Sequence, residues 1–256
     1  MQTVNEILNA GTIEGNVFKL PPQQLDRKTY ESVAKALTGI GGKWKGGKVA
    51  GFEFNNPTWR ADLECLCGGE NVNIKKEFEF FTTPQSVTAE MFKRIEIWHP
   101  AYLQTSKTKY HLAILEPSAG DGAILRMLKE IPGRNHIFAV ELNNRMQGPL
   151  NSLGIDGVFC PQDFMEFQGG KFDLIVANPP FSKNQDIKHF MRMFDMLLPG
   201  GLLLCVMSAH FTFADDKESA QFREFINENG TYNPLSDGTF KESGTNVRSV
   251  LVELIK

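Results

Sequence analysis

The sequence predicts an α/β fold in which a mostly parallel sheet is covered by helices on both faces and is preceded by a small α+β unit. Two observations support this prediction. From residue 80 onward, apolar runs of strand length alternate with amphipathic stretches of helix length, which is typical of βαβ units. Before residue 75, helical and strand-like stretches are instead separated by glycine and proline clusters. We therefore expect two units, residues 1–75 and residues 76–256.

The first unit is predicted to contain two helices and a hairpin. Asp26 follows a Pro-Pro break and is a suitable N-cap for a helix that runs through Thr38. A glycine- and lysine-rich turn at residues 41–48 then leads into a strand at residues 49–54. The next break is Asn56-Pro57, and residues 58–66 are expected to form the second helix.

The second unit is predicted from apolar periodicity and breaker residues. Strands are expected at residues 111–115, 137–140, 158–160, 172–176, 202–207 and 247–255. Helices are expected at residues 86–95, 122–131, 187–198 and 218–228, the third of them ending at Pro199-Gly200. A partly helical stretch at residues 143–153 is expected to break at Gly148-Pro149.

Composition excludes several classes of protein. The hydrophobic share of 41% and the charged share of 22% are ordinary for a globular chain and exclude disorder as the main state. No apolar run reaches the roughly 18 residues of a membrane span, and the N-terminus lacks the pattern of a secretory signal. The four cysteines have neither disulfide-framework density nor zinc-ligand spacing. We expect reduced thiols, no metal, no membrane partner and a cytoplasmic location.

Charge limits how the chain can contact nucleic acid. The formal net charge is −3, with ten basic and ten acidic residues in residues 1–80, so the remaining chain holds 17 and 20. A nucleic-acid binder that relies on bulk charge is usually basic. Any footprint on nucleic acid must therefore be a local patch.

The sharpest chemical signal is the tetrapeptide Asn178-Pro179-Pro180-Phe181, directly after a predicted strand. Ligands bind at the carboxyl ends of strands in open parallel sheets, so the tetrapeptide lies where chemistry is expected. The asparagine side chain supplies an acceptor oxygen, and proline has a carbonyl but no N–H. Two such acceptors suit a flat –NH2 group, on whose ring the phenylalanine can stack. The alternative interpretation is a Pro-Pro loop with asparagine as a turn residue.

Three other strand ends carry polar or glycine-rich segments. Glu116 to Gly122 connects a predicted strand to a helix, and its glycines allow a ligand to approach the backbone. Glu141 ends the next strand, about twenty residues on, which suits an acceptor for a ribose diol. Asp163-Phe164 follows the third strand, where an acid can accept from an adenine amine and an aromatic ring can cover it. Each acid taken alone is more often a solvated loop residue.

Together these segments resemble the N6-adenine group of class I S-adenosylmethionine-dependent methyltransferases. Glu116 to Gly122 is similar to motif I, and Asn178 to Phe181 is similar to motif IV. Glu141 and Asp163 resemble the acids of motifs II and III, Phe81 to Pro84 resembles motif X, and Gly238 to Val247 resembles the hairpin before the last strand of many phage and plasmid adenine methyltransferases. The resemblance covers residues 80–256 well and residues 20–75 loosely. It implies a seven-stranded, Rossmann-like methyltransferase sheet. It also implies that the protein acts in a bacterial or phage-infected bacterial cell.

The resemblance also implies a role for each matching residue. The target amine would be held by Asn178 and the carbonyl of Pro179, with Pro180 and Phe181 completing the catalytic tetrapeptide. The cofactor, S-adenosylmethionine, would be bound by Phe81, Thr82, Thr83, Pro84, Glu116, Ser118, Gly120, Asp121, Gly122, Glu141, Leu142, Asp163, Phe164 and Asn178. The methyl group would move by direct displacement onto an adenine that is flipped out of the duplex.

The nucleic-acid contacts are predicted from two basic segments. Lys43, Trp44 and Lys45, with Lys48 on the same turn, could contact phosphates and stack on a base. The alternative is a solvated hairpin tip with the tryptophan packed into a small core. Lys183 lies in the loop that continues the catalytic tetrapeptide and is the second candidate.

Several alternatives stay open at this point. Cytosine C5 chemistry is rejected, because it needs a cysteine after a proline and this chain has Cys160-Pro161 in the reverse order. An adenine in RNA and a glutamine side chain of a protein also present a planar –NH2 group. A different class is a silent subunit that binds S-adenosylmethionine and partners an active methyltransferase, although the intact tetrapeptide argues against it. Oligomeric state and target sequence stay open as well.

Overall fold

The chain divides into two compact units, Met1–Phe80 and Phe81–Lys256. A computed structural model describes residues 3–55, 58–69, 82–105, 111–241 and 245–256. The division falls at the end of residues 70–81, which lie outside these ranges, whereas the sequence places it near residue 75.

The first unit packs three helices against a small antiparallel sheet. The helices are α1 (Val4–Asn9), α2 (Arg27–Gly39) and α3 (Trp59–Cys67), and the strands are β1 (Thr12–Glu14), β2 (Val17–Lys19), β3 (Lys43–Lys45) and β4 (Gly51–Glu53). The strand order is β1-β2-β4-β3. The predicted cap of α2 is confirmed, because the Asp26 carboxylate accepts the backbone N–H of Thr29 at 3.0 Å. The predicted hairpin is confirmed in β3 and β4, which pair antiparallel with Trp44 opposite Phe52.

A compact aromatic and aliphatic core holds the first unit together. Phe52 and Phe54 are buried, and the ring of Phe54 stacks on Trp59 with centroids 4.7 Å apart. Val33 and Leu37 supply the apolar face of α2. The sequence does not predict α1, β1 or β2, because elements of three to six residues are too short to show a clear period.

The second unit is a seven-stranded, mostly parallel sheet with flanking helices, as predicted. Its strands are β5 (Ala113–Glu116), β6 (His136–Val140), β7 (Gly157–Phe159), β8 (Phe172–Ala177), β9 (Leu197–Ser208), β10 (Gly230–Pro234) and β11 (Ser249–Ile255). Its helices are α4 (Gln85–Thr105), α5 (Ala123–Leu128), α6 (Gln147–Asn151), α7 (Gln185–Met196) and α8 (Lys217–Asn229). The strand order is β10-β11-β9-β8-β5-β6-β7.

The centre of this sheet is parallel and fully covered. β5 to β9 pair in parallel, whereas β11 joins β9 and β10 joins β11 antiparallel. All six residues of β8 are buried, which explains why five of them are apolar, and the one acid, Asp173, accepts the backbone N–H of Ala113 at 2.8 Å. Because β8 lies between β5 and β9, the segment that follows it emerges at the middle of the row of carboxyl-terminal strand ends.

Two local predictions are wrong and one strand was not predicted, each for a physical reason. Gly148-Pro149 does not break the chain but lies inside α6, where proline in the first turn removes no helical hydrogen bond. Pro199-Gly200 does not end a helix but lies inside β9, at a register shift against β8 that accommodates proline and the φ of +78° at Gly200. β10 was not expected, because its GTYNP sequence is poor in strand formers and pairs with β11 from the sheet edge.

Two further observations complete the fold. The predicted hairpin at Gly238 to Val247 lies partly outside the described residues, because residues 242–244 are not among them. Within the described ranges, no helix has the length and apolar character needed to cross a membrane.

Candidate functional site

Three of the predicted site segments, together with the segment that follows β9, emerge at one edge of the large sheet. The segments that follow β5, β6 and β8 are neighbours, because β5 pairs in parallel with both β6 and β8. The segment after β9 lies next to the one after β8, since Ala177 pairs with Cys205. Parallel strands place all four carboxyl ends on the same side, which is where open sheets bind ligands.

Asn178 is the first residue after β8 and is held by a buried hydroxyl. Its side-chain Nδ2 donates to Oγ1 of Thr83 at 3.0 Å. Thr83 is 7% exposed, whereas Asn178 is half-buried. Pro179 is buried, and Pro180 and Phe181 are half-buried. The structure therefore brings the predicted motif X threonine into direct contact with the predicted catalytic asparagine.

The neighbouring threonine contacts a different loop. Oγ1 of Thr82 donates to Oδ2 of Asp121 at 2.9 Å, and Oδ1 of Asp121 accepts the backbone N–H of Ala123 at 3.1 Å. Pro84 precedes α4, and its carbonyl accepts from the backbone N–H of Val87 at 3.0 Å. The fourth predicted residue of this segment, Phe81, lies outside the described residues.

The loop between β5 and α5 has the backbone of a ligand cradle. Gly120 and Gly122 have φ values of +51° and +78°, a region that glycine adopts without steric cost. A Cβ built on Gly122 would lie 2.7 Å from Cδ1 of Leu153, so a side chain there would clash. Ser118, also predicted to contact the cofactor, is half-buried in the same loop.

Glu116, the last residue of β5, is a buried acid. It is 1% exposed, and its Oε2 has no hydrogen-bond partner among the described residues. Burial raises the pKa of Glu116 well above its ordinary value of 4.5, and the charges of Asp121 and Glu141 raise it further. A buried acceptor beside two other acids is a favourable environment for a cation.

Glu141 braces the glycine loop from the end of β6. Its Oε2 accepts the N–H of Gly120 at 2.7 Å, and its Oε1 accepts the N–H of Asn143 at 2.7 Å. Burial is the largest influence on Glu141 and raises the pKa of its carboxyl group, while these two hydrogen bonds oppose that shift. Sequence reasoning assigned this carboxylate to a ribose, and the structure adds a bracing role that the spacing did not reveal.

The remaining predicted cofactor residues differ in exposure. Leu142 is 54% exposed, and Asp163 is also exposed, with its Oδ1 accepting the N–H of Met165 at 2.8 Å. Phe164, predicted to cover an adenine ring, is 3% exposed and packs in the core, with its ring 5.4 Å from that of His189. Its assigned role stays a prediction.

Sequence reasoning did not identify the residues that tether the segment after the tetrapeptide. Nδ2 of Asn184 donates to Oε2 of Glu218 at 3.0 Å and to Oδ1 of Asp216 at 3.3 Å. Oδ2 of Asp186 accepts the N–H of Ser208, the last residue of β9, at 2.9 Å. Burial raises the pKa of Asp186 to about 6. No motif signals these contacts, because their partners are more than 20 residues away in sequence.

The predicted nucleic-acid residues are on the surface of their respective units. Lys43, Trp44 and Lys45 form the edge strand β3, and Trp44 is 49% exposed, with its ring edge-on to Phe52 at 5.2 Å. The ring is therefore only partly packed into the small core, and its contact with a base stays a prediction. Lys45 pairs with Glu53 at 3.5 Å. Lys183 is exposed, and both Lys183 and Asn184 have left-handed φ values, +53° and +55°.

The fold and the arrangement of this sheet edge are those of an S-adenosylmethionine-dependent methyltransferase. Residues 100–233 match the Methyltransferase small domain family, which is just over half of the chain. The chain therefore belongs to the Methyltransferase small domain family, and its cofactor is S-adenosylmethionine.

Individual proteins are also similar to this chain. The modification methylase CviBIII of Paramecium bursaria Chlorella virus NC1A is 32% identical over 111 residues, which are 42% of this chain and 27% of that relative. The type I restriction-modification system methyltransferase subunit of Streptococcus thermophilus has a TM-score of 0.54 at 17% identity, covering 78% of this chain and 49% of the other. A Listeria monocytogenes structure assigned to the class I S-adenosylmethionine-dependent methyltransferases has a TM-score of 0.51 at 16% identity, covering 77% and 66%. These two structures establish similarity of fold.

The residues at the sheet edge fit this cofactor. Its methionine part carries an ammonium group, for which the unpartnered, buried Oε2 of Glu116 is an acceptor. The left-handed glycines at 120 and 122 leave the loop backbone open to close approach. Within the described ranges, no group of three or more His, Cys, Asp or Glu side chains could hold a metal ion.

Proposed function

We propose that this chain transfers a methyl group from S-adenosylmethionine to the N6 amine of adenine in DNA. The observation that carries the proposal is the position of Asn178-Pro179-Pro180-Phe181 at the carboxyl end of β8, beside the glycine loop that follows β5. The 32% identity with a viral modification methylase supports DNA as the substrate. The chain spans only about a quarter of that relative, so the substrate is part of the proposal.

The chemistry needs an amine nitrogen with an available lone pair. The N6 lone pair of adenine is delocalised into the ring, which makes the amine a poor nucleophile. Oδ1 of Asn178 and the carbonyl oxygen of Pro179 accept its two N–H bonds and favour a tetrahedral, more nucleophilic nitrogen. S-adenosylmethionine supplies an electrophilic methyl group on a sulfonium.

Other residues hold the two reactants. Phe181 stacks on the target base, which offsets part of the few kcal/mol needed to flip a base out of a duplex. Glu116, with the 118–122 loop, binds the amino acid part of the cofactor. Glu141 and Leu142 bind its ribose and adenine side, together with Asp163 and Phe164, and the segment 81–84 closes the methionine end. Positioning of this kind contributes to the rate without a covalent enzyme intermediate.

Contact with DNA is assigned to two local patches. In the first unit, Lys43 and Lys45 approach phosphates, and the exposed ring of Trp44 stacks on a base. In the second unit, Lys183 supplies a positive charge two residues after Phe181. Local patches agree with a net charge of −3, which rules out binding by bulk charge.

The test is tritium transfer from labelled S-adenosylmethionine. Duplex DNA, single-stranded DNA, total RNA and a protein lysate are offered in parallel to the wild-type enzyme and to Asn178→Ala. Mass spectrometry then identifies the methylated product. We expect N6-methyladenine in the DNA that is incubated with the wild-type enzyme, but not in the DNA that is incubated with Asn178→Ala.

Three other outcomes contradict the proposal. Label in RNA identifies an RNA adenine methyltransferase, and label on glutamine identifies a protein methyltransferase. Cofactor binding without transfer to any acceptor identifies a silent partner subunit.

A further inference from the structure

We infer that Thr83 is a positioning residue for Asn178, because its buried hydroxyl holds the plane of the Asn178 amide and so presents the amide oxygen to the target amine. The inference rests on the proposed function, which assigns Asn178 to that amine. It gives Thr83 a role separate from the cofactor contact that the resemblance implies for motif X.

The geometry supports this role directly. Nδ2 of Asn178 donates to Oγ1 of Thr83 at 3.0 Å. The two distal atoms of a primary amide lie on opposite sides of Cγ, so this contact turns Oδ1 away from Thr83. The terminal torsion of asparagine is otherwise broad and roughly two-fold. Rotation would replace the acceptor Oδ1 with the donor Nδ2, which cannot bind an N–H of the target amine.

The surroundings of Thr83 make the contact durable. The side chain is 7% exposed, so water competes weakly for its hydroxyl. The next residue, Pro84, has a fixed φ, and its carbonyl accepts from Val87 and Thr88 at the start of α4. The Thr83 hydroxyl is therefore positioned by the N-terminus of α4 and not by an irregular loop.

The adjacent threonine makes the role separable by mutation. Thr82 contacts Asp121 on the glycine loop, whereas Thr83 contacts the segment after β8. Removing the Thr82 hydroxyl should alter the loop that binds the cofactor. Removing the Thr83 hydroxyl should alter the asparagine that binds the target amine. A defect of Thr83 should therefore appear in kcat, and a defect of Thr82 should appear in cofactor affinity.

The experiment compares Thr83→Val, Thr83→Ser, Thr82→Val and a matched control, Thr88→Val. Valine keeps the shape of threonine without the hydroxyl, and serine keeps the hydroxyl. Thr88 is also buried, at 8% exposed, but its hydroxyl donates to the carbonyl of Gln85. We expect Thr83→Val to lower kcat by about 10- to 100-fold, with cofactor Kd unchanged within about twofold. Thr83→Ser should recover most of the kcat lost in Thr83→Val, and Thr88→Val should stay near wild-type kcat.

Two results would overturn the inference. One is an equal loss of kcat in Thr83→Ser and Thr83→Val, and the other is a rise in cofactor Kd that matches the loss of kcat in Thr83→Val. If the wild-type enzyme methylates RNA or protein instead of DNA, the proposed function fails, and the same comparison on that acceptor decides the role of Thr83.

A second measurement does not need activity. Thr83→Val and Asn178→Ala are combined in a double-mutant cycle of urea unfolding. We expect non-additive shifts in the unfolding midpoint, because each substitution removes the same hydrogen bond. Additive shifts would show that the contact is absent in solution and would overturn the inference.

Discussion

At the scale of single residues, polar side chains of the site are held by N–H and O–H groups. Glu141 accepts two backbone N–H bonds, Asp121 accepts from Thr82, and Asp186 accepts from the end of β9. Acids held in this way keep their geometry and place carboxyl groups beside the carboxyl ends of the parallel strands. That arrangement suits a cationic cofactor better than neutral side chains would.

Asn178→Ala should remove catalysis while leaving the cofactor site intact. The asparagine oxygen acts on the target amine, so its loss should lower kcat by about 10²- to 10³-fold. Cofactor Kd should change much less, and titration with S-adenosylhomocysteine measures it. Equal losses in kcat and in cofactor affinity would contradict the assignment of Asn178 to the target amine and would assign it to cofactor binding instead.

Glu116→Gln should change stability and cofactor affinity in opposite directions. Because the pKa of Glu116 is raised in the folded state, the folded protein retains this proton more tightly than the unfolded chain does. The stability of the wild type therefore falls as pH rises from about 4.5 through the folded pKa, and the glutamine variant lacks this loss. We expect the Tm advantage of Glu116→Gln to increase from pH 4 to pH 8, while its affinity for S-adenosylmethionine falls.

The control for this prediction is Glu130→Gln, which alters an exposed acid in the same unit. It should change neither Tm nor cofactor affinity at any of these pH values. A Tm difference for Glu116→Gln that is constant with pH would contradict a raised pKa for the buried carboxyl group of Glu116.

At the scale of elements, two loops of the candidate site depend on left-handed backbone. The loop between β5 and α5 places glycines at these positions, at 120 and 122. The segment between β8 and α7 places Lys183 and Asn184 there instead, at a cost of roughly 1–2 kcal/mol for each non-glycine residue. The hydrogen bonds from Asn184 to Asp216 and Glu218 oppose that strain.

Gly122→Ala should destabilise the second unit and weaken cofactor binding. The new Cβ would meet Leu153 at 2.7 Å and would occupy a φ of +78°. We expect a loss of about 1–3 kcal/mol in stability by urea unfolding, together with a higher cofactor Kd. Gly148→Ala is the matched control, because a Cβ there meets nothing within 4 Å and the residue is helical. The control should be neutral or slightly stabilising.

Lys183→Gly should raise stability and lower DNA affinity. Glycine relieves the left-handed strain, so we expect a gain of up to about 1 kcal/mol, reduced by the larger entropy of the unfolded chain. DNA affinity should fall because a positive charge near the tetrapeptide is lost. Lys183→Gln separates the two effects, since it should lower affinity without the gain in stability. Unchanged DNA affinity in both variants would remove Lys183 from the DNA contact.

At the scale of the whole molecule, charge limits how this chain can bind nucleic acid. Because the net charge of −3 is spread over two units, only small basic patches can attract the phosphates of nucleic acid. The dependence of affinity on salt should therefore be shallow, because few counterions are released.

Lys43→Gln should lower the magnitude of the slope of log K against log salt by about 1. Trp44→Leu should weaken binding by about 1–3 kcal/mol per stacked base without changing the slope. The control is Lys19→Gln in the same unit, since this lysine pairs with Glu14 and is not assigned to DNA. Equal slopes in Lys43→Gln and Lys19→Gln would exclude β3 from the phosphate contact. Fluorescence anisotropy with a short DNA duplex measures the affinity of all three variants as a function of salt.

The fold was predictable wherever a segment was long enough to show its period. β8 and α2 were found because a strongly apolar stretch of strand length and a capped amphipathic helix are local patterns. β10 was missed and the start of β9 was misjudged because strand pairing there overrides the local preferences of glycine and proline. α6 was misjudged because its proline lies in the first turn, where a helix tolerates it.

The sequence by itself determined the class of sheet, the cofactor and the strand ends at which the chemistry is expected. The class of sheet and the strand ends follow from local patterns, such as the tetrapeptide after β8, whereas the cofactor follows from the resemblance of these segments to a known family. The tertiary structure decided which side chains hold one another: Thr83 on Asn178, Glu141 on the glycine loop, and Asp186 on the end of β9. These contacts join residues about 20 to 95 positions apart, and only the parallel alignment of strand ends brings them together.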